Sequence, residues 1–368
     1  MSRINVVRPS MPPIEEYVEE IRSIWENRWL TNTGPKHQAL EKELARVLEV
    51  PAVSVFSKGH QALEAVFSLF PAGSEVITTP FTFASTTVAI LRSGLIPVFC
   101  DIEPDFYTMD PAKIESLITE RTVAIAPVHV YGNLCSWRQI RSIADRHGLK
   151  VIYDAAHAFG VRDGDMGVGG MGDYSMFSFH ATKVFHTIEG GGLAYHDPAM
   201  AKQFAAWRQF GMFDGEQSEI EGTNAKLTEF AAAMGLCNLR HLEEQIALRK
   251  EAAERYRERL AGKKGLMLCG EQPGVQSNYA YLPVQVQPEQ FGCDRNAVAE
   301  RLKERDIFVR KYFYPLTSAF PICRERCAVQ ATPVAAAVAE RILCLPLYAD
   351  LTREDVDRVC DAVLDLRR

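Results

Sequence analysis

Apolar residues return at Ile14, Tyr17, Val18, Ile21 and Trp25, three or four positions apart, which predicts a helix that buries one face. Pro12-Pro13 stands just ahead, where a residue with fixed φ and no N–H suits a helix entry. Leu40, Leu44, Val47 and Leu48 predict a second helix. From there the period switches back and forth. Val53-Ser54-Val55-Phe56 is strand-like and Gln61 to Phe70 helical. Glu75-Val76-Ile77-Thr78 is strand-like, Ala84 to Ser93 helical, and Pro97-Val98-Phe99 strand-like again. Val123 to Val128 has the length of a buried strand. Trp137 to His147 is helical, Gly148 ends it, and Val151-Ile152-Tyr153 opens the next strand. Strands alternating with helices of about ten residues predict an α/β fold, with a parallel sheet covered by helices on both faces.

The texture changes after Asp154. Gly160 to Gly172 is loop-rich, and Tyr174 to Phe179 reads as one more strand. A long helical pattern from Leu227 to about Leu260, Ala-rich and then charged, links two units. Short strands (Tyr279 to Val286) and helices (Arg295 to Arg305, Thr352 to Leu366) follow. The expected division is a large domain over residues 1–245 and a smaller C-terminal one over 246–368, within reach for a chain of 368 residues.

Composition narrows the function classes. Apolar residues make up 47% and charged residues 24%, enough for a sizeable core, and the net charge of −6 leaves no basic footprint for nucleic acid. No stretch approaches the roughly 18 apolar residues of a membrane-crossing helix, and Met1-Ser2-Arg3-Ile4 does not open a signal peptide. The nine cysteines are scattered, and the close pair Cys323 and Cys327 has no second pair to complete a zinc site. A soluble cytoplasmic protein with reduced thiols, no metal and no membrane partner is expected.

Candidate chemistry centres on Lys183, in Ser178-Phe179-His180-Ala181-Thr182-Lys183, followed by Glu189-Gly190-Gly191-Gly192. Asp154 ends the apolar run before it. One chemistry needs both groups: a lysine that forms an imine with pyridoxal phosphate, and a carboxylate that keeps the pyridine nitrogen protonated. Ligands of parallel sheets bind beyond the carboxyl ends of strands, where Asp154 falls, and Ala155-Ala156 beside it leave room for a flat ring. A helix-capping or loop aspartate is the alternative. His157 either meets the cofactor's phenolic oxygen or is an ordinary polar residue at the sheet's end. Ser57-Lys58-Gly59-His60 lies between strand and helix, where free N–H groups make a phosphate cradle, and Ser178 offers a hydroxyl to the same anion. Of Phe81 and Phe83, one ring is placed to stack on a heterocycle and the other to fill the core. Gly167-Val168-Gly169-Gly170-Met171-Gly172 matches a dinucleotide fingerprint, but it leads into a strand-like segment instead of a helix. His180 and His186 have no carboxylate or cysteine at a zinc spacing.

Taken together the chain resembles the DegT/DnrJ/EryC1/StrS family of nucleotide-sugar aminotransferases. The likeness rests on Trp29-Leu30-Thr31-Asn32 with Gly34-Pro35, on Thr79 to Thr86, on Pro127 to Gly132, and on the Asp154 and Lys183 segments. Tyr312-Phe313-Tyr314-Pro315-Leu316 and Leu343-Cys344-Leu345-Pro346 extend it to nearly the whole length. The resemblance implies the type I fold of pyridoxal-phosphate-dependent transferases, with a mostly parallel seven-stranded sheet in the large domain and a smaller C-terminal α+β domain. It implies Lys183 as the imine-forming lysine and proton carrier, Asp154 on the pyridine nitrogen, His157 near the phenolic oxygen and Phe83 stacked on the ring. Gly59, His60 and Ser178 fall on the phosphate cup. Asn224 matches an asparagine that reaches the phosphate from a neighbouring subunit, which implies a homodimer with shared sites. Tyr312 and Phe313 fall near the sugar, and His186 either touches the sugar or fills space. Two departures stand out: Lys58-Gly59-His60 replaces the usual Asn-Gly-Thr turn, and His186 replaces a common asparagine.

The implied reaction moves an amino group from L-glutamate to a nucleotide-linked keto-6-deoxysugar. The Tyr312 to Leu316 run resembles the subgroup that aminates C4 of dTDP-4-keto-6-deoxyglucose for O-antigen and lipopolysaccharide sugars. Amination at C3 of a dTDP-3-keto sugar is the near alternative. A pyridoxal-phosphate-binding regulator without turnover, or a desulfurase of the same fold, are the alternatives of other kinds.

Overall fold

The computed structural model describes residues 3–328 and 330–367; Met1, Ser2, Val329 and Arg368 lie outside the described residues. Helices α1 (Ile14–Asn27) and α2 (Pro35–Leu48) come first. The alternating part is β1 (Ala52–Phe56), α3 (Gly59–Phe67), β2 (Glu75–Thr78), α4 (Ala84–Arg92), β3 (Ile96–Phe99), β4 (Thr122–Ala126), α5 (Trp137–His147) and β5 (Lys150–Asp154). A short hairpin of β6 (Arg162–Asp163) and β7 (Met166–Gly167) leads to β8 (Tyr174–Ser178), β9 (Gly191–Tyr195), α6 (Met200–Trp207), α7 (Glu229–Arg240) and α8 (Leu242–Leu260). The remainder is β10 (Leu266–Leu268), β11 (Val275–Gln276), β12 (Leu282–Val286), α9 (Pro288–Phe291), α10 (Arg295–Lys303), α11 (Pro333–Arg341), β13 (Ile342–Leu345) and α12 (Arg353–Leu364).

The main sheet has seven strands in the order β1-β9-β8-β5-β4-β2-β3. β9 runs against both its neighbours, and every other pairing is parallel. Alternate side chains explain why the strands read as continuous apolar runs. Val55, Ile77, Val151, Tyr153 and Phe177 pack with α2, α5 and α7 on one face. Phe56, Val76, Ile152, Met176 and Leu193 pack with α3, α4 and α6 on the other. Both faces are covered, as a parallel sheet requires. A separate core gathers the antiparallel β10-β12-β13 sheet under α8, α10 and α12, and Ile4 joins it beside Ile307.

Several elements differ from their sequence patterns. The helical run through Leu227–Leu260 is two helices, because His241 leaves helical geometry at φ −105° and ψ 4°. α7 is buried nearly throughout, while the charged α8 begins on the main core at Leu242 and Ile246 and runs on into the second at Ala252, Ala253, Tyr256 and Leu260. The expected strand from Tyr279 narrows to Leu282–Val286; Tyr279 has φ +51° and the chain turns before the strand begins. β9, α6 and α11 have no strong signal in the sequence. β9 in particular begins with two glycines that pack where no side chain fits. A Cβ on Gly191 would lie 2.3 Å from the Gly59 backbone, so this strand meets the start of α3 main chain to main chain.

Long-range carboxylates tie the helices down. Glu229 accepts the N–H groups of Lys36 and His37 at the start of α2. Asp101, buried beyond β3, accepts those of Val334 and Ala335 at the start of α11 and its own neighbour Ile102, and takes an ion pair from Lys113. Burial pushes the Asp101 carboxyl up, but the three peptide N–H groups and Lys113 outweigh it and hold it below its ordinary value. Its contribution is therefore present at neutral pH and fades as pH falls through that lowered value. Asp101→Asn should cost about 1–3 kcal/mol at neutral pH, read from the denaturant midpoint, and the gap to wild type should close under acid conditions.

Candidate active site

A cavity of about 390 Å³ opens at the carboxyl ends of β5 and β8, beside the start of α3. Gly59, His60, Phe83, Asp154 and His157 line it, and so do Ser178, Lys183, Tyr312 and Phe313. The topology explains the gathering: α3 begins next to β8 because Gly59 fits under Phe177 and Ser178, where a Cβ would come within 3.1 Å of both.

Asp154 is 4% exposed. Its carboxylate accepts the Thr86 hydroxyl at 2.6 Å and the Ala156 N–H at 3.1 Å, both neutral donors. Burial raises its pKa, and those two bonds together with the nearby Lys183 only partly oppose the rise. Such a carboxylate favours a partner that brings a proton or a positive charge. Lys183 is half-buried on the cavity wall, and desolvation there brings its ammonium down to about 8 against the pull of Asp154 and Tyr312. Its amine donates to the Tyr281 hydroxyl at 3.3 Å.

His157 is neutral, since burial, then Lys183, push its imidazolium well below the ordinary value. The Tyr131 N–H donates to Nδ1 at 3.0 Å, so the ring proton resides on Nε2. Phe313 stacks nearly parallel to this ring at 5.8 Å, and Phe83 is exposed with its ring 6.4 Å from Phe313. At the other end, α3 starts with no side-chain cap and no acidic residue in its first turn, which leaves its N–H groups free for an anion. His60 Nδ1 pairs with Ser85 Oγ at 2.9 Å, and its Nε2 lies 3.5 Å from Glu64. Lys58 is taken up by Glu189 at 2.8 Å.

Two residues fall elsewhere. Asn224 is exposed on the loop before α7, accepts from Lys226 at 2.8 Å, and is absent from this chain's cavity wall. His186 does not reach the space expected to hold the sugar. It is buried behind the lysine loop, where Nε2 meets the Ser10 carbonyl at 2.6 Å, Nδ1 accepts the Ile188 N–H, and the Asn238 amide donates to its carbonyl. The imidazole pins the N-terminal segment to α7, and those bonds leave it no free polar edge. Conversely, Thr86 and Tyr281 carry weight that the sequence did not assign. Thr86 lies inside the Thr79–Thr86 run that carries the family likeness, which is a usable signal; Tyr281 comes from 98 positions downstream of the lysine and has none. The Gly167–Gly172 fingerprint passes from β7 through a tight turn to β8 with no helix after it. Among the described residues no group of three or more His, Cys, Asp or Glu could hold a metal ion, and no helix is long and apolar enough to cross a membrane.

Residues 13–364 match the model of the DegT/DnrJ/EryC1/StrS aminotransferase family. The chain belongs to that family. The aminotransferase is 38% identical over 364 residues to a Shigella dysenteriae protein named dTDP-4-amino-4,6-dideoxy-D-glucose transaminase, covering 99% of both chains. An Escherichia coli protein of the same name is 40% identical, with 98% of both chains covered. The crystal structure of DesI in the presence of its TDP-sugar product superposes with a TM-score of 0.95 at 32% identity, over 100% of this chain and 94% of that one. The α/β architecture implied by the sequence likeness is the one observed, and the enzyme is a transaminase of this sugar-modifying family.

The lowered lysine gives a direct check on the site. A pKa near 8 means that the nucleophilic neutral form accumulates as pH rises through about 8, not through the ordinary value of 10.5. Labelling of Lys183 by an amine-directed reagent, followed by peptide mass spectrometry, should rise with that midpoint while exposed lysines lag by about two pH units.

Proposed function

We propose that this aminotransferase uses pyridoxal 5′-phosphate to move an amino group from L-glutamate to C4 of dTDP-4-keto-6-deoxyglucose, giving dTDP-4-amino-4,6-dideoxyglucose. The reading rests above all on Asp154 and Lys183 sharing one cavity, in a chain whose full-length relatives carry that product in their names. The cavity suits the cofactor in its donor set. The free N–H groups at the start of α3, that of His60 among them, fit a phosphate together with Ser178; Asp154 fits a protonated ring nitrogen; the Nε2–H of His157 fits a phenolic oxygen; Phe83 offers a face for stacking.

Bound there, pyridoxal phosphate supplies an aldehyde that carries the amino group and a conjugated ring that stores the electron pair of a broken C–H bond. Lys183 anchors the aldehyde between turnovers. Once displaced, its amine takes the proton from the substrate carbon and would return it at the cofactor's carbon across the nitrogen, for which the neutral form that burial favours is required. Asp154 keeps the ring nitrogen protonated, and Thr86 fixes the carboxylate's orientation. Tyr312 and Phe313 roof the space beyond Lys183 for the sugar.

The working form is a homodimer with shared sites. Support comes from the exposure of Asn224, outside its own chain's cavity, where a neighbouring subunit's phosphate is its natural target. Further support comes from Ile14, Val18, Trp25, Trp29 and Leu30, an exposed apolar group on and after α1. Residues 1–245 serve as the large domain and 246–368 as the smaller one, acting in the cytoplasm on sugars destined for O-antigen or lipopolysaccharide.

The deciding assay incubates the enzyme with glutamate and a panel of keto-sugar nucleotides and locates the new amine by NMR. An amine at C4 of the dTDP-4-keto-6-deoxy sugar is expected, with 2-oxoglutarate released and turnover lowered on the order of a thousandfold or more in Lys183→Ala. An amine at C3 would move the enzyme to the dTDP-3-keto branch, and no amine transfer from glutamate to any keto sugar would reject the reading.

A further inference from the structure

We propose that Tyr281 is a positioning residue for Lys183: its hydroxyl holds the amine whenever the amine is not bonded to the cofactor, and aims it for proton transfer. The inference rests on the cofactor and lysine roles proposed above and adds a residue to them. Among the described residues the one hydrogen bond of the Lys183 amine goes to Tyr281, at 3.3 Å. A lysine on a four-carbon stem has many rotamers, and a proton carrier is useful only where its nitrogen stays near the reacting carbons.

The hydroxyl itself is well fixed. Tyr281 stands immediately before β12, and three rings from three separate segments enclose it: His157 at 4.7 Å, Tyr312 at 5.8 Å and Tyr131 at 6.1 Å. Burial raises the phenol's pKa, so it keeps its proton while the lysine titrates. A phenol both donates and accepts. It therefore serves the amine in either state, accepting from the ammonium and donating to the neutral nitrogen's lone pair. The groups that face Lys183 from other elements are Asp154 from β5, His157 just beyond it, and Tyr312 from the segment after α10. None of these forms a hydrogen bond with the amine in this structure.

A bond to the charged form is the stronger of the two, so the hydroxyl favours the ammonium slightly. Tyr281→Phe keeps the ring and its packing and removes only this partner. The test uses the pyridoxamine-phosphate-loaded enzyme, in which Lys183 is free, with 13C-labelled lysine Cε resonances followed by NMR against pH. The Lys183 midpoint should fall by about one pH unit in Tyr281→Phe, with other lysines unmoved. In single turnovers of the pyridoxal form with glutamate, the rate should drop roughly tenfold or more at unchanged glutamate KM, and the isotope effect with 2-deuterated glutamate should grow. A midpoint and isotope effect equal to those of wild type would overturn the proposal. The titration needs no substrate, so a wild-type enzyme inert toward glutamate would count against the donor assignment, and the NMR shift would still decide for or against Tyr281.

Discussion

The carboxylate of Asp154 lies almost out of reach of water, at the end of a strand, with one hydroxyl and one peptide N–H for partners. A buried carboxylate met only by neutral donors is costly, by several kcal/mol on general grounds. The sheet accepts that cost at a single point: the place where β5 stops, the start of α3 opens toward the cavity, and the loop bearing Lys183 returns. Much else in the fold makes this point possible. Gly59 and Gly191 let α3 and β9 touch through their backbones. Thr86 rises from the first turn of α4 to fix one carboxylate oxygen. Both faces of the central strands are sealed by helices, so the open end is the accessible one.

Much of this architecture is legible in the sequence, and the physical reasons differ by element. Central strands such as β4 and β5 announce themselves as short apolar runs because neither face meets water. α5 is announced by its amphipathic stripe and its glycine stop. β9 is not, since Gly-Gly-Leu-Ala-Tyr owes its extended form to close approach by α3 and not to propensity. The break between α7 and α8 is equally silent, because helical periodicity continues across His241, where only the backbone angles leave helical geometry.

The site divides in the same way. Residues supplied by strand ends and the adjoining turns, such as Asp154, His157, Gly59 and Lys183, are readable because their neighbours in sequence are also their neighbours in space. Tyr281 reaches the lysine from a distant segment, and no local pattern marks it. His186 shows the converse: it lies three residues after the lysine in sequence, yet its ring turns away to the Ser10 carbonyl while Asn238 holds its own carbonyl. Proximity along the chain argues for a shared site only while the backbone keeps its side chains on one side. Beyond the main sheet, Tyr281, which leads into β12, and the Tyr312–Phe313 segment line the same cavity, so distant parts of the chain contribute walls to one site.

On the proposed function one lysine, and no other, would bond to the cofactor opposite Asp154. Borohydride reduction of the enzyme loaded with pyridoxal phosphate makes that bond permanent, and peptide mass spectrometry then locates the attached phosphopyridoxyl group. A single modified peptide carrying the group on Lys183 is expected. Modification confined to another lysine, such as Lys58 at the cavity mouth, would contradict it.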